Sequence, residues 1–193
     1  MKRKSLLAVL LIFLIAQACQ NANHKTSEMQ SAAIDSIMKE DAITDTSGIN
    51  RGAGLITFLN DAALAGLKEI EMGKLAAQKA TNPKILDYAK MIVKDHTKIA
   101  EKLNKLAADK KITLPLALPQ ADQDHMAELQ KMQAGEFEKH YIGMMIKDHI
   151  KALDLFKSAT TSGDTPVQNF ARGSLRKLEW HYKQAIAIEN KLK

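Results

Sequence analysis

At 193 residues, with 46% hydrophobic, 26% charged and only 5% aromatic side chains, the chain has room for one ordinary domain and suits packed helices better than a β-sandwich. Assigning Lys2, Arg3 and Lys4 to a leader leaves 25 basic against 22 acidic residues, so the net charge of +6 falls to +3. The remaining charges are interspersed with no basic, aromatic-laced stretch, which argues against nucleic-acid binding, and no nucleophile–base pair, phosphate loop or dinucleotide fingerprint marks an enzyme.

Met1 to Cys19 reads as an export leader. A basic start precedes an apolar run from Leu6 to Ile15, and small residues surround the expected cut in Ala16-Gln17-Ala18-Cys19. The run is roughly 10 residues, against about 20 for a membrane-spanning helix. The sole cysteine, Cys19, stands where bacterial lipoproteins receive a diacylglycerol, although Ala16 replaces the usual Leu and Gln17 is bulky. Acylation would remove a lone exposed thiol and hold the protein to a membrane; the other reading is plain cleavage after Ala18 with a free cysteine. The expectation is a lipoprotein signal peptide over residues 1–18 and a lipidated Cys19 that anchors a periplasmic protein to the outer membrane.

Residues 19–54, rich in Asn, Ser, Thr, Gln and Gly, read as a flexible polar tether. Helical periodicity takes over from Leu55, and the first main helix is predicted from about Phe58 to Ala80. Asn82-Pro83 is a stop-and-restart signal, with Asn as N-cap and Pro at the first helical position of a second helix that ends near Asp109. Pro115 and Pro119 rule out regular helix over Lys111 to Gln120. A short helix from about Asp122 to Met132 follows, then a weak point at Ala134-Gly135, a third main helix from Glu136 to Ala159, a second restart at Gly163-Asp164-Thr165-Pro166, and a fourth helix to about Leu192. Residues 55–193 therefore predict an all-α, antiparallel four-helix bundle, each helix about 35 to 42 Å long. The long middle connection with its own short helix favours a ferritin-like crossover over simple up-down-up-down order.

The second and third main helices echo each other. Tyr88, Met91, Lys94, Asp95, His96 and Lys98 align in register with Tyr141, Met144, Lys147, Asp148, His149 and Lys151. His96 lies on the apolar seam of Ile85, Ala89, Ile92, Ile99, Leu103 and Leu106; His149 shares a seam with Ile142, Met145, Ala152 and Phe156; His181 falls among Ala171, Ser174, Leu178, Ala185 and Ile188. On the first helix, Glu69 has Ala62, Ala65, Gly66, Met72, Gly73 and Ala76 around it. Counting from the two tight turns puts the four at heights that agree within roughly 6 Å. Four unpaired polar groups in a core would cost about 1 to 3 kcal/mol each, so they need partners. Two readings stand: a single metal ion held by Glu69, His96, His149 and His181, or a metal-free hydrogen-bond network. Three imidazoles and a carboxylate suit Fe(II), Mn(II), Zn(II) or Cu(II). Asp95 and Asp148, about 100° around the helix from their histidines, either orient a neighbouring helix's imidazole from behind or pair with Lys98 and Lys151 on the surface. The Glu-x-x-His pairs of di-iron bundles are missing, because Val93, Ile146 and Leu178 stand there instead. His24, His125 and His140 show no such setting and are given no role.

The run Gly66-Leu67-x-Glu69-x-x-x-Gly73-x-Leu75-Ala76, the two Asp-His helices, Leu114-Pro115 and the stretch from Phe170-Ala171 to His181 resemble the domain-of-unknown-function family 4142 over about Leu55 to Lys193. That resemblance implies a ferritin-like bundle in an exported, periplasmic or outer-membrane protein, with Glu69, His96, His149 and His181 on recurrent positions, and it brings no established activity. Arg176 departs from the expected Pro and should leave the last helix straighter. The function expected is a lipid-anchored bundle that binds one metal ion in metal or stress homeostasis; its rival is a metal-free structural or interaction module that contacts an envelope protein.

Overall fold

The structure, a computed structural model, describes residues 46–192, with side chains from residue 52 onward. The expected leader, Cys19 and the tether up to residue 45 lie outside the described residues. Five helices follow one another: α1 (Thr46–Lys79), α2 (Pro83–Asp109), α3 (Gln120–Lys131), α4 (Ala134–Ala159) and α5 (Thr165–Leu192). None of the described helices is long and apolar enough to cross a membrane.

The restart signals act as the residues dictate. Asn82 is extended and its side chain accepts from the Lys84 amide at 3.0 Å, with Pro83 opening α2. Asp164 does the same for α5, its Oδ1 accepting from the Val167 amide at 3.0 Å. α2 closes with the Ile112 amide donating to the Ala107 carbonyl at 2.9 Å and Lys111 in the left-handed region at φ 57°. Two starts differ from the pattern reading. α1 begins at Thr46, not near Phe58, because no proline interrupts the run and a helix already nucleated by the buried Phe58, Leu59 and Ala62 gains a hydrogen bond for each residue added. α4 begins at Ala134, not Glu136, because the break falls on extended Met132 and Gln133, and Gly135 is tolerated in the first turn. The short helix shifts by a residue or two, to Gln120–Lys131.

Two apolar clusters fill the ends of the bundle. One joins the start of α1 (Phe58, Leu59), the end of α2 (Leu103, Leu106), the end of α4 (Leu153, Phe156) and the start of α5 (Val167, Ala171). The other joins the end of α1 (Met72, Ala76), the start of α2 (Ile85, Tyr88), the start of α4 (Phe137, Tyr141) and the end of α5 (Ala185, Ile188). Helix α2 thus runs in the same direction as α4, and α1 in the same direction as α5, while both tight hairpins are antiparallel. The connection through α3 must return the chain along the bundle, which is the single long crossover of ferritin-like connectivity. α5 lies beside both α4 and α2. Polar clamps fix each end: Glu138 of α4 accepts from the Thr81 and Asn82 amides at 2.6 and 2.8 Å, and Lys110 pairs with Asp164. Helix α3 docks alongside α1, Asp122 near Lys68 at 3.6 Å and the Gln130 carbonyl on Lys79 at 2.8 Å.

Candidate metal centre

Between the two apolar clusters lies a polar layer. The seams read from periodicity are the buried faces of α2, α4 and α5, and they carry His96, His149 and His181 inward with 2%, 0% and 0% of their surface exposed. Glu69 enters from α1, 2% exposed. Gly73, one turn further along α1, lets the helix come close to α2: a Cβ there would meet Val93 Cγ2 at 2.8 Å and the Ala89 carbonyl at 3.3 Å. The ring centroids of His96 and His149 are 5.6 Å apart, those of His96 and His181 5.1 Å, and those of His149 and His181 5.4 Å. One ring nitrogen from each histidine lies within 4.8 Å of the other two.

Each imidazole is held from behind. His96 Nδ1 sits 2.9 Å from Glu69 Oε2. His149 Nδ1 lies 2.9 Å from the Met145 carbonyl, one turn back on its own helix, and 3.2 Å from Glu69 Oε1. His181 Nε2 lies 3.1 Å from Asp95 Oδ2, and Lys177 Nζ donates to the same oxygen at 3.1 Å. A carbonyl can only accept, and an ionised carboxylate likewise, so all three back-side nitrogens carry the proton. The opposite nitrogens, His96 Nε2, His149 Nε2 and His181 Nδ1, are each buried without a hydrogen-bond partner among the described residues, and in a neutral ring each is a bare lone pair.

Burial would raise the Glu69 carboxyl, but the adjacent His96 and His149 outweigh it and bring its pKa down to about 2. Asp95 is also raised by burial and lowered by more through its bonds to His181 and Lys177. Burial pushes His149 below the usual imidazole range, and burial with the neighbouring His96 brings His181 down to about 4, so both are neutral at pH 7. Two carboxylates thus stand ionised behind a trio of imidazoles. A metal requires deprotonated ligands, and burial supplies them at His149 and His181.

Of the residues singled out from sequence, the three histidines are brought together and Glu69 reaches them. Its Oε2 faces His96 Nδ1, while its Oε1, 3.2 Å from His149 Nδ1, is buried without a hydrogen-bond partner among the described residues. Asp95 accepts from the imidazole of another helix. Asp148 instead pairs with Lys68 of α1 at 3.2 Å. Both aspartates thus find lysines across a helix interface, not Lys98 or Lys151 on their own helices. Sequence reasoning missed Lys68, Lys177 and the Met145 carbonyl; only Lys177 left a trace, four residues before His181. It aligned Tyr88 with Tyr141 but gave them no role; their rings pack 6.2 Å apart and their buried hydroxyls have no partner among the described residues. Burial raises the pKa of both hydroxyls, and the charge of Glu69 adds to the shift.

A family described as Domain of unknown function (DUF4142) matches residues 54–188. No curated protein and no solved structure matches the chain.

Proposed function

The chain belongs to the DUF4142 family, and we propose that its bundle holds one divalent first-row transition-metal ion on His96, His149 and His181. The observation that carries this reading is a buried cluster of three imidazoles, each with one ring nitrogen that has no hydrogen-bond partner among the described residues. Three unpaired acceptors cost about 1 to 3 kcal/mol each. A hydrogen-bond network among neutral histidines does not relieve that cost, because the one proton of each ring is directed at its carboxylate or carbonyl. A cation can. Metal-bound histidines commonly donate their other N–H to a carboxylate or backbone carbonyl, which is the role of Glu69, Asp95 and the Met145 carbonyl here.

Imidazole nitrogens favour Zn(II), Cu(II) and Fe(II) over the harder Mn(II), more so with Glu69 behind the rings. An ion bonded at about 2.0 to 2.1 Å has tetrahedrally placed ligands roughly 3.4 Å apart, so the trio need only draw in. With all three histidines sealed from solvent, the ion serves retention and stability in place of substrate turnover, in metal or oxidative-stress homeostasis. A tether and a lipidated Cys19 would hold this bundle at the periplasmic face of the outer membrane, a reading supported by the leader and by the absence of any other cysteine. Globomycin-sensitive processing and incorporation of labelled palmitate test it; failure of both moves the protein to free periplasm. The rival reading, a metal-free module that contacts another envelope protein, draws on Leu116 and Trp180, exposed by 92% and 54%.

Metal analysis of the mature protein purified without a histidine tag separates the two. We expect one ion per chain, lost in His96→Ala or His149→Ala with helical content retained. No bound metal after loading with Fe(II), Mn(II), Zn(II) and Cu(II) in turn would favour the rival.

A further inference from the structure

The crossover helix creates a second cluster with a different chemistry. His140 and Met144 stand four residues apart on α4, so they share one face of the helix. α3 packs against that face and delivers His125, whose Nε2 lies 3.3 Å from Met144 Sδ. The rings of His125 and His140 are 5.6 Å apart, tilted by 51°. His140 is exposed, and His125 and Met144 are half-buried, so the cluster is open to solvent where the histidine trio is sealed.

We propose that His125, His140 and Met144 form a surface site for Cu(I). The donor set is the reason. A thioether is a soft, weak ligand that contributes little to Zn(II), Mn(II) or Mg(II) but binds Cu(I) well, and imidazole completes such a site. An ion bonded to nitrogen at about 2.0 Å and to sulfur at about 2.3 Å subtends roughly 100° across a 3.3 Å separation, within the range of three-coordinate geometry. None of the three residues takes part in the histidine trio, so the site stands or falls apart from it.

The experiment uses the mature chain with Cys19→Ser, which removes the competing thiol, carbon-13 labelled at methionine methyl groups. Ag(I) serves as a redox-stable probe, and anaerobic Cu(I) against a chromogenic chelator gives the affinity. The Met144 methyl resonance, assigned by its disappearance in Met144→Leu, is expected to shift and saturate at one equivalent of Ag(I). Met144→Leu changes little but the sulfur and is expected to weaken Cu(I) binding at least tenfold, with His125→Ala similar. The same shift should persist in His149→Ala, where the buried trio is broken. A Met144 methyl that does not move, or Cu(I) affinity unchanged in Met144→Leu and His125→Ala, would mean that the 3.3 Å contact is packing alone and would overturn the site.

Discussion

Helices α2 and α4 carry the same Met-x-x-Lys-Asp-His pattern, run in the same direction and meet at their matching tyrosines and histidines, yet the two copies do different work. In α2, Asp95 reaches across to His181 of α5 and His96 is braced by Glu69 of α1. In α4, Asp148 reaches only Lys68, and His149 is braced chiefly by a carbonyl of its own helix. A local motif fixes which way a side chain points. What it meets there is decided by the neighbouring helix, and α5 offers a histidine where α1 offers a lysine.

The largest expected effect tests what the two copies share. His96→Ala and His149→Ala should each lower metal affinity more than 100-fold, measured by competition with a chelator of known strength, because each removes one of three donors. Retained tight binding in only one of the two would mean that the copies are not equivalent even at the metal.

Protonation offers a second comparison, between the α4 and α5 histidines and the unfolded chain. His149 and His181 have folded pKa values below the ordinary 6.5, so the unfolded state binds more protons as pH falls through that range and the metal-free fold loses stability. For His181, with its folded value about 4, the loss from pH 6.5 downward levels off near pH 4 at about 3 kcal/mol at most. Urea unfolding of the metal-free protein at pH 7 and pH 4.5 measures it; equal midpoints would contradict the buried, neutral imidazoles.

The two aspartates separate the copies directly. Asp95→Asn and Glu69→Gln remove charged acceptors from behind metal ligands and should lower affinity 10- to 100-fold, whereas Asp148→Asn should change it less than about twofold, since Asp148 pairs with Lys68 and hydrogen-bonds no imidazole among the described residues. Equal losses at Asp95 and Asp148 would erase the asymmetry. Two glycines of α1 flank Glu69, and they compare a close approach to α2 at Gly73 with open space at Gly66. Gly73→Ala, driven into Val93 and the Ala89 carbonyl, should destabilise by about 1 to 3 kcal/mol, while Gly66→Ala, with nothing within 4 Å, should stabilise by about 0.5 to 1 kcal/mol. Thermal unfolding of the two variants reads both signs.

Much of this arrangement was legible in the chain. The seams on α2, α4 and α5 follow from spacing of three and four, because burial of an apolar stripe decides the face, and a histidine on such a stripe must go inside with it. Asn82-Pro83 and Asp164-Thr165-Pro166 carry their restarts in local chemistry. The role of Glu69 was not legible in the same way: height along a helix is countable from sequence, but which ring nitrogen a carboxylate faces depends on how closely α1 and α2 approach. Likewise, His125 and His140 lie on separate helices whose meeting is set by where the crossover segment docks. No periodicity within either helix records that.

The most direct test is the tautomer of each histidine in metal-free protein at pH 7, read by long-range proton–nitrogen correlation NMR and followed by one equivalent of Zn(II). His96 and His149 are expected as Nδ1–H tautomers and His181 as the Nε2–H tautomer, with the three bare nitrogens, and no others of the trio, shifting together on Zn(II) addition. Protons found on His96 Nε2, His149 Nε2 or His181 Nδ1, or a trio that ignores the ion, would contradict the account.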